Sequence, residues 1–232
     1  MSRMKFEGLL ENEFTLSDKV LRSKNGTDSG VIDVPVENLI LDEENITIFG
    51  DFNQDSIDSL SKDIENDGFK GTILAYPIRK DGDLQFYQIE SGHKRYLAAK
   101  QAGLKKVPVI VTEIPKSDAE RRLRLISMNL HTRETPKPSI LANEAAILLN
   151  SIRELREEEG LSTDMTTLTQ LVAERMERST KAIEKYRQFK KLIPKLQDLA
   201  DEGASWSALV NCSSLSPERQ EMIAFKIRNE AE

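Results

Sequence analysis

Three short segments of this 232-residue chain carry residue types at spacings that could do chemistry. The first is Ile89-Glu90-Ser91-Gly92-His93-Lys94-Arg95-Tyr96-Leu97-Ala98-Ala99. An apolar run ends, a glycine turns the chain and a helical pattern begins, with Ser91 placed as the N-cap. The first N–H groups of such a helix lack acceptors of their own and suit an anion. Lys94 and Arg95 fall in the same turn and could neutralise phosphate oxygens. The plain alternative is an amphipathic helix with a solvated basic face. The second segment, Asn129-Leu130-His131-Thr132-Arg133-Glu134, sets polar and basic groups at a helix end. Ordinary C-terminal capping would also put them there. The third runs from Leu168 to Leu192. Leu168, Leu171, Val172 and Met176 share one helical face, Glu177 and Arg178 make a short turn, and Ser179 caps a second helix packed through Ala182, Ile183, Tyr186 and Phe189. Ala173 is small where the two helices would cross. This is the spacing of a helix-turn-helix. Between Arg175 and Lys191 stand seven basic and two acidic residues. Arg178, Ser179, Thr180, Lys181, Glu184, Lys185 and Arg187 are the candidate DNA contacts, with Gln188 on the same exposed face; these types suit base edges and phosphates. The plain alternative is a helical hairpin with solvated lysines.

The elements that must position these groups follow from the pattern. Residues 1–30 show little periodicity and read as a flexible arm, with a short helix over Phe6 to Leu10. Val31 to Val36 alternates as a strand, at a sheet edge because of Pro35. Ile57, Leu60 and Ile64 have helical spacing in a helix starting at Asp55 and stopped by Gly68. Two β-rich runs, Ile73 to Arg79 and Leu84 to Ile89, flank Asp81-Gly82 and predict a hairpin. A helix from His93 to Ala102, closed by Gly103, precedes a strand from Lys106 to Ile114. After Ser117 the spacing is helical only: Asp118 to Leu130, Ser139 to Gly160, Thr166 to Met176, Ser179 to Leu192, Pro194 to Glu202 and Pro217 to Arg228. Prolines near Thr135–Pro138 break the chain. The fold class expected is α+β: a small mixed-sheet domain over residues 31–134, then an all-helical domain over residues 138–232.

Composition bounds the function. Charged residues make up 31% of the chain and hydrophobic ones 38%. That is too polar for a membrane protein and too rich in aliphatic residues for full disorder. No run approaches the roughly 18 apolar residues that span a bilayer, and the acidic N-terminus has no apolar core of a secretory signal. One cysteine, Cys212, and two histidines are present. The lone cysteine excludes an internal disulfide and a thiolate zinc cluster, and the histidines leave little for a metal site. The expected compartment is cytoplasmic. The net charge of −6 conceals an asymmetry: residues 1–70 hold 16 acidic and 7 basic side chains, residues 71–232 hold 23 and 26. Only the local distribution matters for a phosphate-binding surface.

Together and in this order, the three segments resemble the ParB family of DNA-partition proteins. Members carry a Pro-Ile-Val-Arg-like strand, a Gly-Glu-Arg-Arg turn, an Arg-Ala-Ala helix, Ala-Gly-Leu and a Val-Pro-Val-Ile strand. The matching runs here are Tyr76-Pro77-Ile78-Arg79, Gly92-His93-Lys94-Arg95, Leu97-Ala98-Ala99, Ala102-Gly103-Leu104 and Val107-Pro108-Val109-Ile110. The family's Glu-Asn-x-x-Arg motif is matched by Asn129 to Arg133, with Pro138 following, and its helix-turn-helix by Leu171 to Leu192. The resemblance implies a nucleotide-binding N-terminal domain, with CTP and Mg²⁺ as cofactors and Ser91, Gly92, His93, Lys94, Arg95, Asn129 and Arg133 as contacts. It implies a palindromic double-stranded DNA site, a homodimer clamped around DNA by nucleotide, a ParA-type ATPase partner, a nucleoid-associated location, and at most weak CTPase activity. The sequence departs from the family in four places. His93 replaces a glutamate and Lys94 an arginine. Met128 stands where an acidic residue often precedes the asparagine, and the Asn129–Arg133 spacing is one residue longer, so a metal-binding carboxylate is expected to be missing. The chain also reads as a shorter relative, or a truncated form, without the separate C-terminal dimerisation domain of chromosomal members.

Three other readings use the same residues. Sulfiredoxin-like chemistry needs a cysteine in the glycine turn, where Ser91 and Gly92 stand. A ParB-like kinase or nuclease would use Glu90 and a metal. A transcriptional regulator would use the same DNA-binding part without partition.

Overall fold

A computed structural model describes residues 30–130 and 136–230. The chain divides into two compact units, Met1–Asn129 and Leu130–Glu232. The expected N-terminal arm, apart from Gly30, lies outside the described residues, as does the segment 131–135.

The first unit is built on a five-stranded mixed sheet. Its strands are β1 (Val31–Pro35), β2 (Leu39–Ile40), β3 (Ile73–Asp81), β4 (Leu84–Ser91) and β5 (Lys106–Val111), in the order β1-β5-β3-β4-β2. The Asp81-Gly82 turn joins β3 and β4 as an antiparallel hairpin, as its sequence predicts. Gly82 takes a φ of 58° there. β1 pairs antiparallel with β5 and holds the edge that Pro35 requires. β5 lies parallel to β3, with Ile73 opposite Val109, and β2 lies parallel to β4.

Among the described residues four α-helices attend the sheet: α1 (Glu43–Phe49), α2 (Gln54–Asp67), α3 (His93–Gln101) and α4 (Asp118–Ser127). α2 is capped by Asn53, whose side chain accepts from Ser56 N, and ends at Gly68. Its Ile57 and Ile64 join Val34, Ile73, Ala75, Ile89, Tyr96, Ala98, Ala99, Val107 and Val109 in one core. Each large aliphatic group buried there contributes about 1.5–3 kcal/mol. Ala98 and Ala99 leave room for α3 to approach the sheet closely.

Several expectations are corrected. β5 ends at Val111, short of Ile114, and α4 ends at Ser127, short of Leu130. Ser91 is the last residue of β4 and not a cap; Gly92 is the N-cap of α3, at φ 98° and ψ 20°, and no side chain caps that end. β2 and α1 have no counterpart in the sequence reading.

The second unit is all helical among the described residues: α5 (Pro138–Glu158), α6 (Met165–Arg175), α7 (Thr180–Phe189), α8 (Pro194–Asp201), α9 (Trp206–Leu209), a 3₁₀ turn (Val210–Ser214) and α10 (Pro217–Glu230). Pro138 and Pro194 stand at first helical positions, where a missing N–H costs nothing. α5 supplies the axis of the core through Ala142, Ala145, Leu148 and Ile152, all fully buried, and packs against α6, α7 and α8. α6 meets α7 through Leu168, Val172 and Ala173 on one side and Ile183 on the other, all buried. The four residues between them, Met176 to Ser179, turn the chain with Glu177 at φ 51°, the one left-handed non-glycine residue among those described. The sequence reading missed the one-turn helix α9. It carries Trp206, which stacks on Tyr186 with ring centroids 5.4 Å apart. Cys212 is half-buried.

Candidate functional sites: an anion turn and a basic helix

In the first unit, β4 delivers the chain to a left-handed Gly92, and α3 starts at once. The first intrahelical bond runs from Tyr96 N to Gly92 O at 2.9 Å. The N–H groups of His93, Lys94 and Arg95 therefore have no acceptor within the helix. Gly92 adds no side chain over them. An added Cβ would lie 3.3 Å from Ile73 Cγ1, so the strand–turn–helix passage is tight. The result is a small concentration of positive potential at a helix N-terminus.

The side chains of this turn take different roles. Lys94 is exposed. Arg95 is half-buried and folds back on the chain: Nη1 donates to Thr72 O at 2.6 Å, and a Cβ on Gly71 would fall 2.8 Å from the same nitrogen. Gly71, at φ 85°, is therefore the floor on which the guanidinium rests. Burial lowers the Arg95 pKa. His93 is 4% exposed; its Nδ1 accepts from Asn45 Nδ2 at 3.3 Å and its ring stacks on Phe52. Burial pushes its pKa down to about 4, against the opposing pull of Asp42.

Charged groups bind the surrounding elements. Arg121 of α4 reaches Asp42 at 2.6 Å and Glu44 at 2.9 Å, and Arg122 reaches Glu44 at 3.0 Å. Burial works against the Arg121 charge, but Asp42 and Glu44 outweigh it and raise its pKa. Glu90 is 3% exposed. It accepts from Thr112 Oγ1 at 2.5 Å and lies 3.6 Å from Arg124 Nη1. Burial raises its pKa, with Thr112 and Arg124 pulling the other way. Arg124 also pairs with Glu120, whose carboxylate accepts from Lys116 N.

Of the residues expected at this site, Ser91, Gly92, His93, Lys94 and Arg95 form the turn itself. Asn129 lies two residues past α4 and donates to Leu125 O at 2.6 Å, within its own helical end. Arg133 lies outside the described residues. Sequence reasoning missed Asn45, Phe52, Gly71, Thr72, Arg121 and Arg124. The only sequence signal for any of them was Asp42 ahead of Glu43-Glu44, a cap followed by an acidic first turn.

In the second unit, Ser179 caps α7 by accepting from Ala182 N at 3.2 Å. Thr180, Lys181, Lys185 and Gln188 are exposed on α7. Lys185 Nζ stands 5.9 Å from the Trp206 ring. Glu184 and Arg187 form an ion pair at 2.9 Å, and Glu184 also lies 3.5 Å from Thr169 Oγ1 on α6. Arg178, in the turn before α7, is exposed. The structure thus separates solvent-facing groups, Arg178, Thr180, Lys181, Lys185 and Gln188, from Glu184 and Arg187, which pair with one another.

Comparison with known proteins adds three findings. Residues 22–129 match the family described as the ParB N-terminal domain. Over 91 residues the chain is 34% identical to the chromosome-partitioning protein ParB of Myxococcus xanthus, a match covering 39% of this chain and 28% of that protein. The match therefore spans under a third of that relative's length. Among solved structures, the C-terminally truncated ParB of Caulobacter crescentus complexed to the centromeric parS site covers 84% of this chain and 99% of its own, at 22% identity and a TM-score of 0.49. The same Caulobacter protein complexed with CTP-γ-S covers 84% and 98%, at 20% identity and a TM-score of 0.38. No helix among the described residues is long and apolar enough to cross a membrane.

Proposed function

We propose, on the premise that residues 22–129 are a ParB N-terminal domain, that this chain is a partition-type DNA-binding protein. Its first unit binds a nucleotide, and its second reads double-stranded DNA through α7. The observation that carries the reading is the exposed, capped α7. It follows a four-residue turn from α6 and turns Thr180, Lys181, Lys185 and Gln188 to solvent in a protein of net charge −6. A helix of that kind, presented N-terminus first, fits a major groove, and its lysines fit flanking phosphates. Two half-sites read by a homodimer would give the palindromic site that the family resemblance implies, and a ParA-type ATPase is the partner it implies.

The N-terminal turn of α3, with Lys94 beside it, fits a phosphate group. The resemblance names CTP as the nucleotide. The metal is a different matter. Asp42, Glu44, Glu90 and Glu120 are each bound to an arginine, and no group of three His, Cys, Asp or Glu among the described residues is placed to hold an ion. Mg²⁺ would arrive on the nucleotide's own phosphates rather than in a cage of this unit's carboxylates. The same engagement of Glu90 by Thr112 and Arg124 weighs against its use as a general base, and so against the kinase or nuclease reading.

The test has two arms on the full chain. Calorimetry with each of the four NTPs, with and without Mg²⁺, is expected to select one nucleotide. Selection from a random DNA pool is expected to return a palindrome. A pool that returns no enriched sequence would overturn the DNA reading. Heat-silent titrations with all four nucleotides would overturn the nucleotide reading.

A further inference from the structure

Lys185 borders the packed side of α7, next to Tyr186 and one turn before Phe189. Its neighbour Glu184 is taken by Arg187 at 2.9 Å. The contact that the structure gives the Lys185 ammonium is an indole: Nζ stands over the Trp206 ring, 5.9 Å from its centroid. That is within the reach of about 6 Å over which a cation is drawn to an aromatic face. The indole is itself fixed by α7. It stacks on Tyr186 with ring centroids 5.4 Å apart and planes 17° apart, and it meets Phe189 edge-on at 6.4 Å and 74°. Both arrangements are favoured ones for aromatic pairs. Tyr186 and Phe189 are buried and Trp206 is half-buried, so two rings of the core hold a third beneath an ammonium that stays exposed. Trp206 is the sole tryptophan of the chain. It reaches this place from α9, a single turn that follows Gly203 at φ 112°.

We propose that Trp206 is a positioning residue for DNA binding: its indole orders the Lys185 side chain on the solvent side of α7, where the ammonium takes a backbone phosphate. This rests on the DNA reading above and adds to it a residue outside the α6–α7 pair. A lysine loose in solvent must give up its rotamer freedom to hold a phosphate, and that loss opposes binding. A lysine already laid on a fixed ring has given up part of it beforehand. The ring supplies no charge to the DNA, so its effect is on affinity and not on the number of counterions released. Lys181 lies one turn earlier on the same exposed face and serves as the control.

A phosphate contact does not depend on base sequence, so the test uses the full chain and a labelled duplex of mixed sequence, read by anisotropy across a series of low salt concentrations. Trp206→Leu should weaken binding about two- to tenfold at every salt concentration. It should leave the salt slope as in the wild type, because the ammonium still reaches its phosphate in the complex. Lys185→Met should lower the slope by about 0.9. In the Lys185→Met background Trp206→Leu should lose no further affinity, whereas in the Lys181→Ala background it should lose its full factor. Trp206→Phe, which keeps a ring, should lose less than Trp206→Leu. In proton–carbon spectra of the free protein, the ε-methylene protons of Lys185 are identified by their loss in Lys185→Met. The indole ring current should place them upfield of the other lysines, and Trp206→Leu should return them. Should Trp206→Leu fail to fold, Trp206→Phe alone and with Lys185→Met carries the test. If the ring variant binds as the wild type does, if it loses as much with Lys185→Met as without, or if the Lys185 protons resonate with the other lysines, this proposal fails and the DNA reading stands. If the wild type does not bind the duplex, both fall together.

Discussion

Removing Lys181 or Lys185 tests whether α7 is the DNA-reading element, because the structure distinguishes these lysines from other cations nearby. Both are exposed, and a phosphate contact from either would release counterions. Each lost contact lowers the slope of log affinity against log salt by about 0.9. Between about 50 and 200 mM salt, that is a change of about 3.5-fold in how steeply affinity falls. Arg187 behaves differently. It is paired with Glu184 at 2.9 Å, so deleting both residues removes no net charge and should leave the slope unchanged. Lys185 has a second role near the Trp206 ring; Lys185→Ala should also cost about 0.5–1 kcal/mol of stability, whereas Lys181→Ala should not. The assay is fluorescence anisotropy with a labelled cognate duplex at four or more salt concentrations, with urea melts as the control. The assignment of α7 fails if the slopes of Lys181→Ala and Lys185→Ala both match the wild type. It also fails if the Glu184→Ala, Arg187→Ala double variant loses a full slope unit instead.

Two further outcomes bear on the first unit. Gly92→Ala forces a Cβ onto φ 98° and sets it 3.3 Å from Ile73, so it should lower stability by about 1–2 kcal/mol or more; a urea midpoint indistinguishable from wild type would show that the turn is not constrained as described. The buried His93 gives an acid limb to stability: its folded pKa of about 4 lies below the ordinary 6.5, so the unfolded chain takes up the proton first. The stability it contributes is complete above pH 6.5 and is lost as pH falls towards 4, at up to about 1.4 kcal/mol per pH unit. Urea midpoints measured from neutral pH down to that folded pKa should fall less steeply for His93→Gln than for the wild type, and equal slopes would contradict the burial argument.

What was legible in the sequence was what is local. The helices α5 to α8 announce themselves because Ala142, Ala145, Leu148 and Ile152, and likewise Leu168 and Val172, recur at helical spacing and are buried for that reason. The basic face of α7 was visible for the same reason, since a helix fixes which residues share a face without help from the rest of the chain. The Asp81-Gly82 hairpin needed only its turn. The anion turn was half legible. Its position was clear, yet Ser91 looked like the cap because small polar residues favour that place. The backbone puts the left-handed Gly92 there instead, and Ser91 completes β4 opposite Leu74. Nothing local marks β2, whose two residues cannot show a period, and α1 is signalled only by Asp42 capping Glu43-Glu44, an acidic stretch whose partners Arg121 and Arg122 arrive from 79 and 78 residues away. The same distance hid the partners of His93 and Arg95: Asn45 lies 48 residues upstream and Thr72 lies 23. Arg95, read as a phosphate contact from its place in the turn, also donates through Nη1 to the Thr72 carbonyl over Gly71, a pairing no local pattern announces. The two sites therefore differ in kind. The helical one is composed by spacing along one segment. The turn in the sheet unit is composed by tertiary pairings, Asn45 with His93 and the Thr72 carbonyl with Arg95, from elements that no local pattern connects to α3.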